Sequence, residues 1–126
     1  MAEKTPAEKM RLGPGLAAAF PQVPADLVAR LGVPAGVTEV DDPAAADFIL
    51  VAAGDQTEAE ARLTELEPLV TPELLLWLAY PKGAKAAGRD ISRDTVWAFV
   101  QTIGLTLVAN VAVDETWSAL RVRPAK

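Results

Sequence analysis

Two periods of hydrophobicity divide the chain. Residues 74–80, LLLWLAY, and 48–53, FILVAA, are apolar without polar interruption, which predicts strands covered on both faces, as in a parallel sheet. Residues 16–20, LAAAF, and 37–40 are shorter segments for the same sheet, the first weakened by the poor strand propensity of alanine. Residues 105–113 alternate instead. Leu105, Leu107, Ala109, Val111 and Val113 fall on one side and Thr106, Val108, Asn110 and Ala112 on the other, a strand packed on at least one face. Beyond the polar turn Asp114-Glu115-Thr116, residues 117–123 alternate Leu120 and Val122 with Arg121 and Arg123. The two segments therefore read as an antiparallel hairpin with one partly wet face.

Helical signals fill the intervals. Thr5-Pro6-Ala7-Glu8 has the form of a capping box with proline at the first helical position, starting a short helix through about Arg11 that Gly13-Pro14-Gly15 ends. Residues 24–31 place Leu27, Val28 and Leu31 on one face, and Gly32 stands where a C-terminal cap belongs. Thr57 with Glu60 reads as a second capping box, followed by the apolar stripe Ala59, Leu63 and Leu66 until Pro68 breaks it. Ser92 is the expected N-cap of the last helix, with Asp94 in its first turn and Val96, Phe99, Val100 and Ile103 recurring up to Gly104. Pro81 lacks a backbone donor and is expected to stop the ladder of the 74–80 strand. Short connections join these elements into one α/β domain over 1–126, with a helix and linker at 1–15 and a core at 16–124.

Composition narrows the chemistry more than it names it. Zero cysteines remove disulfides, thiolate metal sites and thiol nucleophiles. Zero histidines remove serine-histidine catalysis, histidine-ligated metals and histidine acid/base steps near neutral pH. What remains is carboxylate, lysine, tyrosine or backbone chemistry, or binding alone. A net charge of -5 argues against a nucleic-acid partner held by bulk electrostatics. No apolar run approaches a membrane span and the amino terminus has no apolar leader, so the expectation is a soluble, cytoplasmic protein with no membrane partner.

The order of elements, ending in a hairpin, resembles a trimmed Rossmann-like methyltransferase fold. The text LWLAYPKG from Leu76, then SRDTVW and GLTLVANVAVDETWSALRVRP, is similar more specifically to a small bacterial family known as domain of unknown function 3052. That resemblance runs from about Ala7 to Pro124. It implies a small three-layer α/β sandwich, a mostly parallel sheet with a C-terminal antiparallel hairpin and, with short connections and right-handed crossovers, the sheet order 2-1-3-4-6-5; it brings no established activity. The broader fold implies S-adenosylmethionine held by a glycine-rich turn after the first strand and an acidic residue after the second. Here the first turn is Pro21-Gln22-Val23-Pro24, without glycine, while Asp41 or Asp42 matches the acidic position.

Candidate site residues gather after the 74–80 strand, where open α/β sheets hold ligands. Lys82, Lys85, Arg89 and Arg93 suit a small anion, helped by helix-start donors near Ser92, or are a solvated loop. Tyr80 can donate a phenolic hydrogen bond into the same crevice. Trp77, Trp97 and Trp117 read as core packing, Trp117 also as a ligand contact. Asn110 calls for a hydrogen-bond partner. Asp41, Asp42 and Asp47 lack metal-loop spacing, and no metal is expected. The resulting expectation is a non-catalytic ligand-binding or protein-interaction module without a cofactor. Two alternatives stand beside it: an S-adenosylmethionine-dependent methyltransferase with an atypical cofactor turn, and a homo-oligomeric structural protein.

Overall fold

The computed structural model describes residues 5–21, 23–82 and 90–125. Helix α1 (Pro6–Lys9) leads into β1 (Ala17–Ala19), α2 (Ala25–Leu31) and β2 (Thr38–Glu39). A 3-10 turn at Pro43–Ala45 then precedes β3 (Phe48–Ala52), α3 (Gln56–Leu66), β4 (Leu75–Pro81), α4 (Arg93–Thr102) and the hairpin β5 (Leu105–Ala112) and β6 (Trp117–Pro124). The six strands form one sheet in the order β2-β1-β3-β4-β6-β5, as the methyltransferase-like resemblance implies. Strands β1 to β4 pair in parallel, and β6 is antiparallel to both β4 and β5.

Alternation along the central strands splits the interior into two cores. Ile49, Val51, Leu76, Leu78, Leu120 and Val122 pack with Ala59, Leu63 and Leu66 of α3 and Val96 and Val100 of α4. Phe48, Leu50, Trp77, Ala79 and Ala119 pack on the other side with Ala7 and Met10 beside α1 and Leu27 and Leu31 of α2. The sandwich is therefore helix, sheet, helix. With β3 buried at every position and β4 nearly so, each of these strands reads as continuously apolar because both of its faces are covered.

Local chemistry sets the element ends. Thr5 and Glu8 cap α1 reciprocally, as expected, but the helix stops after Lys9 and Arg11 adopts φ 71°, short of the Gly13-Pro14-Gly15 break. Gly32 closes α2 in the left-handed region at φ 69°, and a Cβ there would lie 3.0 Å from Thr5, so the residue serves both a turn and a close approach. Helix α3 starts earlier than the Thr57/Glu60 pattern suggests. Asp55 is its N-cap and accepts from the Glu58 N–H at 2.9 Å, while the Gly54 N–H donates to Glu58 Oε1 at 2.7 Å.

Three further expectations are corrected. Pro81 does not stop the ladder: it pairs with Trp117, and the Lys82 N–H donates to the Thr116 carbonyl at 2.7 Å. The Ala53 N–H bonds to the Ala79 carbonyl, so odd positions of β4 face β3. Pro81 therefore points past the end of β3, where its missing donor has no partner to lose. Strand β6 has no wet face; it is buried from Ser118 to Val122, with Arg121 only 9% exposed, because it is sandwiched between β4 and β5. Strand β5 takes the sheet edge instead. A register shift between Leu107 and Ala109 breaks its alternation, and Val108, Ala109 and Asn110 are exposed.

Candidate functional site

Parallel strands in a doubly wound sheet leave a crevice at their carboxyl ends, at the point where neighbouring connections leave to opposite faces. Here that point lies between β1 and β3, because β1 connects through α2 on one side and β3 through α3 on the other. The turn after β1 contributes Phe20 and Pro21, and the Phe20 ring packs at 58° on Phe48, centroids 6.3 Å apart. At the end of β2 the Val40 N–H donates to the Ala18 carbonyl at 2.8 Å; continuing that register brings Asp41 beside Phe20. Asp41 is exposed. Asp42 is occupied, since its Oδ1 accepts from the Ala44 N–H at 3.0 Å and caps the 3-10 turn.

Further along the edge, the amino ends of α3 and α4 are tied together. The Gln56 N–H, first in α3, donates to Asp90 Oδ1 at 2.8 Å. Its side-chain Nε2 donates to Glu60 Oε2 and the Thr95 carbonyl, and its Oε1 accepts from the Thr95 hydroxyl at 2.7 Å. Ser92 and Thr95 form a capping box, each backbone N–H donating to the other's hydroxyl oxygen. Helix-end donors that an anion would use are thus met by the chain's own Asp55, Glu58, Asp90 and Ser92. Pattern reading missed Gln56, Asp90 and Thr95. The Asp55-x-x-Glu58 spacing was the available signal, displaced by two residues from the one chosen.

The predicted site residues do not form one cluster. Tyr80, half-buried, lies against the α3/α4 core, whereas Trp117 packs on the α1/α2 core. Lys82 and Arg93 are exposed, the latter at the first position of α4. Lys85 and Arg89 lie outside the described residues. Asp41 and Asp42 sit at the end of β2, three strands from β4 and so roughly 14 Å away across the sheet. Asn110 is exposed and accepts from the Ser118 hydroxyl at 2.7 Å, a structural bond. Trp77 is core, at 1% exposure, but Trp97 is 48% exposed and corrects the core assignment. Among the described residues, no group of three Asp or Glu is placed to hold a metal ion, and no helix is long and apolar enough to cross a membrane. Asp47 is used structurally, its Oδ2 accepting from the Ala17 N–H.

No family model and no curated protein matches the chain. Solved structures do. A mutant of MtNAS in complex with S-adenosylmethionine is 14% identical with a TM-score of 0.58, covering 95% of this chain and 59% of that one. LepI in complex with SAM is 14% identical with a TM-score of 0.53, covering 94% and 38%. A structure described as a pericyclic reaction enzyme is 13% identical, with a TM-score of 0.50 and the same coverage as LepI. The chain spans less than two thirds of the length of each. At these identities the likeness establishes the fold: a Rossmann-like α/β domain with a methyltransferase-type sheet.

Proposed function

We propose that the chain is a binding domain of the methyltransferase fold that takes an adenosyl cofactor, S-adenosylmethionine or its demethylated product, in the crevice between β1 and β3. This revises the expectation of no cofactor. The observation that carries it is Asp41, an exposed carboxylate at the end of β2 beside the switch point, where it can accept both hydroxyls of a ribose. Structures bearing the same sheet and crystallised with that cofactor support the reading. The β1 turn is an atypical part of it, because Pro21 and Pro24 supply no N–H and no glycine allows close backbone approach. The adenosine end, rather than the charged amino-acid end, is then what this edge holds. Membership of the bacterial family that residues 76–124 resemble belongs to the same proposal.

Titration calorimetry with S-adenosylmethionine and S-adenosylhomocysteine tests it directly. Saturable heat is expected from the wild type and none from Asp41→Ala, whereas Asp42→Ala, which loses only a cap, keeps it. A micromolar dissociation constant requires about 8 kcal/mol; absence of heat from both compounds at high protein concentration sinks the reading. A second reading then takes over, in which this edge is a non-catalytic interaction surface. Its support is that Lys82 and Arg93 are exposed while the amino end of α3 is already filled by Asp55, Glu58 and Asp90.

A further inference from the structure

Three side-chain donors without an acceptor converge on the face of the sheet that α1 and α2 cover. Trp77 of β4 and Arg121 of β6 stand directly opposite one another. Their pair has the parity of Pro81 and Trp117, without mutual backbone hydrogen bonds, the arrangement in which side chains stand closest. Arg123 lies two residues further along β6 and therefore on the same face. Trp77 is 1% and Arg121 9% exposed. Trp77 Nε1, Arg121 Nε and Arg123 Nε are all buried with no hydrogen-bond partner among the described residues. Indole and guanidinium groups only donate. No rearrangement among the three satisfies any of them, so the missing partner is an acceptor.

Charge points the same way. Arg121 is held below the ordinary arginine range, first by burial and then by repulsion from Arg11 and Arg123. Arg11 stands between Met10 and Leu12, which pack in the same core as Trp77. Among the described residues the one ion pair is Arg30 with Asp114, so no carboxylate neutralises these three arginines, although the chain carries seventeen acidic residues. An unpaired buried charge is costly to keep. A water molecule would satisfy one or two N–H groups and leave the charge uncompensated.

We propose that Arg11, Arg121 and Arg123, with the Trp77 indole N–H, form a binding site for a phosphate-class oxyanion carried by a small molecule. Guanidinium forks match phosphate oxygens in pairs. Arg11 itself, with Leu12, Glu8, Gly13, Pro14 and Pro34, lines an open hollow of about 470 Å³, within the range that small-molecule sites occupy. Glu8, the carboxylate of that lining, has Oε1 engaged by the Thr5 N–H at 2.8 Å. Arg123 lies near the end of β6 opposite to Trp117, so this site is separate from the crevice at the ends of β1 to β3.

Inorganic phosphate and pyrophosphate, each compared with sodium chloride and sodium acetate at equal ionic strength, test the proposal. Melting temperature and the indole N–H cross-peaks of nitrogen-15-labelled protein are followed together. The chain has three tryptophans, whose cross-peaks are assigned with Trp97→Phe and Trp117→Phe. Phosphate is expected to raise the melting temperature saturably and to move the Trp77 cross-peak but not that of Trp97. Arg121→Met, which keeps side-chain bulk without charge, is expected to lose both responses while melting no lower than wild type without phosphate. Arg11→Asn, which tolerates positive φ, leaves the core untouched and weakens phosphate binding several-fold; it decides the matter if Arg121→Met does not fold. An equal rise in chloride, a response to acetate alone, a static Trp77 cross-peak at saturating phosphate, or unchanged affinity in Arg11→Asn overturns the assignment.

Discussion

On the α3/α4 side of the sheet, Gln56, Asp90, Ser92 and Thr95 close on one another through an amide, a carboxylate and two hydroxyls. On the α1/α2 side, Trp77, Arg121 and Arg123 present buried N–H groups that no group among the described residues accepts. The first set ties two helix ends together above the sheet and the second lies on the sheet itself, and they differ in kind. The first mixes donors with acceptors and can complete itself, which ties two helix ends together and adds order. The second is made of donors alone, so it cannot be completed from within. A self-contained network stabilises; a one-sided one asks for a ligand. The face that was legible as ordinary core thus carries the less ordinary chemistry.

The sharpest break in that comparison comes from the tryptophans. Trp77 lies at the heart of the donor-only face, and Trp77→Ala is expected to cost about 3–5 kcal/mol through lost burial and a cavity. Trp97, 48% exposed on the outer side of α4, is expected to cost less than about 1 kcal/mol as alanine. Chemical denaturation of both variants measures the difference directly. Equal midpoints would mean that the ring at 77 is not core, and the donor cluster built around it would go with it.

A smaller effect sharpens the other half. Thr95→Val removes the hydroxyl that joins the two helix ends but keeps the shape, and Gln56→Ala removes its partner. Each alone is expected to cost about 1 kcal/mol, and the pair less than the sum, since contacting residues couple by roughly 0.5–3 kcal/mol. A double-mutant cycle by urea denaturation reads the coupling. Strict additivity would show that the network is a consequence of packing, not a contributor to it.

How much of this could be read from the chain depends on the range over which each feature is decided. The strands followed from local signals, since unbroken apolar runs at 48–53 and 74–80 identify the covered ones and the polar turn at Asp114 identifies the hairpin, while their order in the sheet came from the resemblance to a known fold. Cap positions were ambiguous because Asp55-Glu58 and Thr57-Glu60 fit the same spacing, and only the Gly54 turn separates them. Trp97 was misplaced because Val96 and Val100 mark the apolar face, and an adjacent residue on a helix does not share it. Arg121 and Arg123 looked like a wet face because alternation is local. Arg121 is buried and Arg123 half-buried because β6 lies inside the sheet, between β4 and β5, on a face that the α1/α2 core covers, which no window of sequence contains. The site residues fared similarly. Tyr80 and Trp117 are close in register yet face opposite cores, and Asp41 belongs to a different strand end from Lys82.

Arg30 provides the control for the unpaired arginines, since among the described residues it is the one paired with a carboxylate. Its Nη1 donates to Asp114 Oδ2 at 2.7 Å, and Asp114 Oδ1 also accepts from the Thr116 and Trp117 N–H groups, each at 2.7 Å. Burial alone would push the Asp114 carboxyl up, but those two N–H groups and Arg30 outweigh it and hold the group below its ordinary 3.8. A carboxyl depressed in the folded state contributes stability above its unfolded value and loses it as pH falls through the folded value. Arg30 is raised further above its ordinary range by the hydrogen bond to Asp114, so its share is complete throughout the working range and adds no pH dependence. Asp114→Asn preserves an oxygen for the turn and removes only the charge. The stability gap between wild type and this variant is therefore expected to be small and constant from pH 7 to pH 5. It should then shrink as pH drops below 3.8, and added salt should reduce it further because Arg30 is 53% exposed. Denaturant midpoints for both proteins at pH 7, 5 and 3 measure it, and a gap that widens in acid would show that the charge at Asp114 opposes the fold.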